Sequence, residues 1–123
     1  MDTQTIQLFT EKEEAFVNLL LGTGMKRYPA RVLVYLANIR EATSRDIERG
    51  ADLRQPEVCI GIKFLEGRGW ISHRQIPSQK KGRPLTTFSL AVPVGDIVGV
   101  IEKETKAEAD RQMETMEKVR GMV

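Results

Sequence analysis

Residues 54–67, Arg-Gln-Pro-Glu-Val-Cys-Ile-Gly-Ile-Lys-Phe-Leu-Glu-Gly, restrict the folds open to this chain more than any other stretch. Pro56 suits a first helical turn, where its missing N–H costs nothing, and the acid Glu57 beside it complements the positive end of the helix. Gly67-Arg68-Gly69 then ends the helix. Val58, Ile62 and Leu65 recur at the spacing that lines one helical face, which leaves Pro56, Ile60 and Lys63 on the other. One face packs and the other is presented. The period then changes: Trp70 to Gln75 alternates as a strand and Leu85 to Leu90 reads as its return, with Pro77 and Pro84 bracketing the connection. Between Trp70 and Pro84 lie His73, Arg74, Lys80, Lys81 and Arg83 and no carboxylate.

Upstream, the signals are helical. Thr10 with Glu13 makes a capping box, and Phe16, Val17, Leu19, Leu20 and Leu21 supply an apolar face that ends at Gly22-Thr23-Gly24. Pro29 opens a second helix in which Val32, Leu33, Leu36 and Ile39 keep the period, and its other apolar residues point to burial on more than one side. Thr43 and Asp46 cap a third, short helix that places Ile47 and Ala51 on one face and closes at Gly50 and Asp52. Two short helices joined by a tight turn, the second with a polar face, describe a helix-turn-helix.

Pro93 and Gly95 break the chain again. Asp96 then reads as the N-cap of a helix running to about Arg120, near 38 Å long at 1.5 Å per residue, longer than a small domain needs for its own core. Ile97, Val98, Ile101, Ala109, Met113, Met116 and Val119 form an imperfect apolar stripe along it. Packing against a second copy is the economical use of such a stripe, and Ile97, Val98, Ile101, Met113, Met116 and Val119 are the expected dimerisation residues. The domain boundary is expected between residues 92 and 93, with residues 1–92 forming the main domain and 93–123 the helix.

The net charge of +2 conceals a segregation. Residues 1–25 hold one Lys and four acids, residues 26–92 thirteen Lys and Arg against six acids, and residues 93–123 five against seven. The positive excess lies wholly in the middle, which suits association with a polyanion. A single cysteine, Cys59, and a single histidine, His73, leave too few soft ligands for a Cys/His zinc site. No apolar run approaches the roughly 20 residues that span a bilayer, and no secretion signal opens the chain, so a cytoplasmic protein without cofactor, metal or membrane is expected. Catalysis is not expected either, since no phosphate loop, nucleophile motif or spaced histidine and carboxylate pair is present.

Gly24-Met25-Lys26-Arg27-Tyr28-Pro29-Ala30-Arg31-Val32-Leu33-Val34-Tyr35-Leu36, then Ala42 to Ile47, Leu53 to Leu65 with Gly67-Arg68-Gly69-Trp70, and Lys81-Gly82-Arg83-Pro84 resemble the winged helix-turn-helix of TrmB-type and MarR-type transcriptional regulators, common in archaea. The resemblance covers about residues 24–92. It implies a mainly α fold with a small β-hairpin wing (α+β), to which the long C-terminal helix adds dimerisation.

By this resemblance the helix at 54–67 enters the major groove of double-stranded DNA and the wing at 70–90 lies on the backbone or minor groove. Arg54, Gln55, Glu57, Cys59 and Lys63 then face bases or flanking phosphates, Ser44 and Arg45 touch phosphate, and Arg74, Lys80, Lys81 and Arg83 make up the cationic wing. The side-chain chemistry agrees: Gln pairs with adenine, Arg and Lys grip guanine, and Glu57 accepts from cytosine. Single residues also have plainer readings. Gln55 serves equally as a helix cap, a lone cysteine such as Cys59 is more often an inert packing residue than a thiol sensor, His73 reads as a strand surface residue, and Trp70 as buried between wing and helix.

The expected function is therefore a sequence-specific, homodimeric, DNA-binding transcription regulator whose effector is unknown. Two alternatives stand beside it. One is a winged-helix module that docks on another protein through Ile60, Phe64 and the C-terminal methionines; the other is a non-specific, chromatin-like DNA binder, for which a larger positive total is expected.

Overall fold

The structure, a computed structural model, describes residues 9–77 and 84–123. Helix α1 spans Glu11–Gly22. Its start is the expected capping box: the Thr10 N–H donates to Glu13 Oε1 at 2.7 Å and the Glu13 N–H donates to Thr10 Oγ1 at 3.2 Å. Val17 and Leu20 are buried, but Leu19, read as part of the same face, is 74% exposed. At 100° per residue Leu19 lies roughly 200° around the helix from Val17, so the run of leucines cannot all pack.

Helix α2, Arg27–Asn38, is the centre of the core, with every residue from Pro29 to Leu36 buried. One of these is charged. The Arg31 guanidinium donates to both carboxylate oxygens of Glu14 at 2.9 and 3.0 Å, and its Nε donates to the Ala51 carbonyl at 2.7 Å. Phe9 covers it, with the ring centroid 4.6 Å from the guanidinium carbon. Each nitrogen of this buried cation donates a hydrogen bond, as burial demands, and these bonds tie α1, α2 and the following helix together.

Ala42–Thr43 forms a two-residue strand, β1, and Ser44–Ala51 the helix α3, again started by a capping box between Thr43 and Asp46. Asp52 takes the left-handed conformation (φ 56°, ψ 55°), which Asp tolerates better than most residues, and the Leu53 N–H donates back to the Glu48 carbonyl. Helix α4, Gln55–Gly67, follows, with Val58, Ile62 and Leu65 buried as their spacing requires. Gly61 is buried with them because α2 crosses there: a Cβ at this position would lie 2.9 Å from the Tyr28 carbonyl oxygen and 2.9 Å from Val32 Cγ2.

Strands β2, Ile71–Ile76, and β3, Leu85–Leu90, pair antiparallel in the register Ile71 with Leu90 through Ile76 with Leu85, so pairing stops before Pro77 and Pro84. Sequence patterning found these two strands and missed β1, which pairs on the other side of β3 through Ala42 with Phe88 and Thr43 with Thr87. A strand of two residues has no period to read. The expected alternation along β2 is also weak, since Ile71 is buried and the next four residues are exposed.

Two compact units are distinguished, Met1–Pro93 and Val94–Val123. The second is α5, Val94–Gly121, a helix of 28 residues. It starts directly after Pro93, two residues before the N-cap expected at Asp96, which instead sits in the first turn where its charge complements the helix dipole, as Lys118 and Arg120 do in the last. Among the expected dimerisation residues, Ile97 and Ile101 are buried, whereas Val98, Met113, Met116 and Val119 are exposed.

Candidate nucleic-acid interface

Helix α4 presents one side to solvent. Gln55, Pro56, Cys59, Ile60, Lys63 and Phe64 are all exposed, on the side opposite Val58, Ile62 and Leu65. Arg54 is the N-cap, and its N–H donates to Glu57 Oε1 at 2.9 Å. One oxygen of Glu57 is thus committed to the start of its own helix. Gln55, in contrast, is not the cap, and its side chain extends along the helix with Nε2 3.9 Å from Cys59 Sγ. Cys59 is exposed rather than a packing residue.

Beside α4, on the hairpin side, runs a groove of about 360 Å³ lined by Ser44, Gln55, Cys59, Lys63, His73 and Gln75 among others. A second groove of about 590 Å³, lined by Thr43, Ser44, Arg45, Asp46 and Pro84 with β3 residues, continues past the start of α3. Ser44 lines both. The structure thus brings together Ser44, Arg45, Gln55, Cys59 and Lys63, which the sequence keeps nearly twenty residues apart. Lys80, Lys81 and Arg83, the expected hairpin-tip cations, lie outside the described residues.

Two carboxylates from elsewhere reach the hairpin that has none of its own. Glu41 accepts from Arg74 Nε at 2.6 Å and Nη2 at 3.0 Å, and from the Thr87 hydroxyl at 2.6 Å. These hydrogen bonds, first Arg74 and then Thr87, hold the Glu41 carboxyl down at about 2, against an ordinary value of 4.5. Arg74 therefore fastens the sheet, its guanidinium paired with Glu41. Glu66 on α4 is the second carboxylate, with Oε2 2.7 Å from His73 Nδ1, and the His73 ring rests against Phe88. Trp70 is buried as expected, edge-on to Phe64 with ring centroids 6.4 Å apart. Patterning missed Glu41 and Glu66 as partners because both lie outside the strand they hold.

No helix among the described residues is long and apolar enough to cross a membrane, and no three of their His, Cys, Asp or Glu side chains cluster so as to hold a metal ion.

Three helices, a tight turn before a presented helix, and an antiparallel hairpin folded back beside it make this a winged helix-turn-helix. No family model matches the chain, and no curated protein matches it in sequence. Solved structures do match its fold. A possible transcriptional regulator from Methanosarcina mazei Go1 superposes with a TM-score of 0.60 at 15% identity, over 85% of this chain and 86% of its own. TrmBL2, described as an archaeal chromatin protein with a novel mode of DNA binding, gives 0.59 at 15% identity over 89% of this chain but only 40% of its own length. A MarR family transcription regulator gives 0.54 at 14% identity, covering 89% and 76%. The likeness to TrmB-type and MarR-type regulators read from the residues thus holds at the level of fold.

Proposed function

We propose that this chain is a DNA-binding transcription regulator that acts as a homodimer, with α4 in the major groove and the hairpin as a wing on the backbone or minor groove. The observation that carries the proposal is the set of side chains around α4: Arg54 and Lys63 on the presented helix, and Ser44 and Arg45 at the start of α3 beside it. No salt bridge matches Arg45, Arg54 or Lys63 among the described residues, whereas Arg31 and Arg74 are paired. Unmatched cations beside an exposed helix favour phosphate, and Gln55 in the groove is placed for a base edge.

Solved structures of similar fold described as transcriptional regulators, and TrmBL2 described as a DNA-binding chromatin protein, support the same reading. In a dimer, two such helices would meet half-sites about 34 Å apart or a multiple of it. Lys80, Lys81 and Arg83 would extend the phosphate contacts, and the exposed Met113, Met116 and Val119 of α5 would supply apolar dimer contacts.

The test separates positioning from reading. Replacing Arg45 and Lys63 together by alanine is expected to weaken binding to all duplex sequences and to lower the salt slope by about 2, one per phosphate contact. Gln55→Ala is expected to change preference among sequences. Equal losses for Gln55→Ala on selected and random duplex would remove its base-reading role.

A further inference from the structure

His73 and Glu66 line the same groove beside α4 as Gln55 and Lys63, with His73 Nδ1 2.7 Å from Glu66 Oε2. The pair is open to water, its side chains 56% and 31% exposed. A carboxylate only accepts, so Nδ1 carries its proton whether the ring is neutral or charged. The chemistry of the opposite nitrogen, Nε2, then depends on pH. In the neutral ring Nε2 is a bare acceptor, which a phosphate oxygen cannot bond; in the protonated ring it is a charged donor, which suits phosphate. Nε2 has no hydrogen-bond partner among the described residues. Phe88 on β3 supports the imidazole, with ring centroids 6.1 Å apart.

The charges around the pair are few. Among the described residues that line the groove, Glu66 is the one acid and Lys63 the one fixed cation, and Cys59 is the other titratable group. Thr86 and Phe88 from β3 and Ser44 from α3 carry no charge. Arg45 lines the adjoining groove, Arg68 lies over the Trp70 ring, and Arg74, next along β2, points to the other face of the sheet with Glu41. While the ring is neutral, the pair adds a net negative charge to a surface offered to a polyanion. Protonation cancels that charge and supplies a donor.

We propose that His73 is a further contact to a DNA phosphate, made only by its protonated ring, and that Glu66 is the positioning residue, holding the ring by Nδ1 and opposing phosphate while the ring is neutral. Duplex binding then takes up to one proton from solvent per copy, so affinity rises as pH falls through the imidazole range. This inference rests on the DNA-binding reading.

The experiment titrates the full chain into labelled random-sequence duplex at constant ionic strength, at pH about 7.5 and about 5.5, which brackets ordinary imidazoles and leaves out ordinary carboxylates and thiols. Affinity is expected to rise about fivefold per copy at the lower pH, the linkage for one imidazole whose proton is held about tenfold more tightly in the complex. His73→Gln should lose that rise, and Glu66→Gln should bind more tightly than the parent at pH about 7.5, a gain that a merely structural role for Glu66 would not produce. Circular dichroism at both pH values confirms that each variant is folded. Because the chain has a single histidine, its ring signals in proton NMR report the contact directly, and duplex should shift them at the lower pH. An equal rise in His73→Gln, no rise in the parent, weaker binding by folded Glu66→Gln, or ring signals unmoved by saturating duplex overturns the inference. In each of these cases salt-dependent binding by the parent leaves the DNA-binding reading standing, whereas no binding at either pH in low salt removes both.

Discussion

Gly61 shows how one atom can matter to the placing of the presented helix. Its missing side chain lets α2 approach α4 until the Tyr28 carbonyl oxygen and Val32 Cγ2 are both 2.9 Å from where a Cβ would sit. A backbone carbonyl cannot swing aside as a side-chain end can. Gly61→Ala is therefore expected to destabilise the domain by about 1–3 kcal/mol in denaturant unfolding, despite alanine's better helix propensity. Unchanged or increased stability would show that the two helices separate at little cost. Periodicity cannot reveal this role: a glycine inside a helical pattern reads only as a weak position, and close approach is a property of two elements. Arg31 was similarly hidden. Its burial follows from Glu14, Ala51 and Phe9 meeting around it, and none of these is near it in the chain.

Among the elements, helices were legible where local chemistry decides them. The capping boxes at Thr10 and Thr43, Pro56 in the first turn of α4 and the buried triad Val58, Ile62, Leu65 all stand where the residues placed them. β1 and the fastening of the sheet were not, because both depend on contacts between distant segments. Glu41, just before β1, binds Arg74 on β2 and Thr87 on β3 and so joins all three parts of the hairpin's base.

This fastening predicts a pH dependence. Glu41 has a folded value near 2 and an ordinary one of 4.5. Its carboxyl therefore binds protons less readily when folded, and its contribution is present above the ordinary carboxylate range. That contribution is lost as pH falls from about 4.5 toward 2. Glu14, lowered first by its hydrogen bond to Arg31, acts in the same direction. Acid unfolding of Glu41→Gln should start from lower stability at neutral pH and show a smaller loss across that window. A loss as large as in the parent chain would show that Glu41 contributes nothing to folding.

For the whole molecule, the charge segregation and the presented helix combine into one expectation: a basic central domain attracts a polyanion, and a long helix with an exposed apolar stripe attracts a second copy. The fold was legible because periodicity, caps and turn residues agree along most of the chain. The candidate site was legible only in part. Ser44, Arg45, Gln55 and Lys63 line the grooves beside α4, and Arg74 and Glu57 hold partners within the fold itself. A charge count along the strand could not reveal that, since the matching carboxylate comes from outside it. The most direct measurement is a titration of the purified chain into random-sequence duplex DNA at two salt concentrations, with its mass in solution determined alongside. Binding by a dimer that weakens steeply with salt is the predicted result, and absence of binding at low salt would contradict the account.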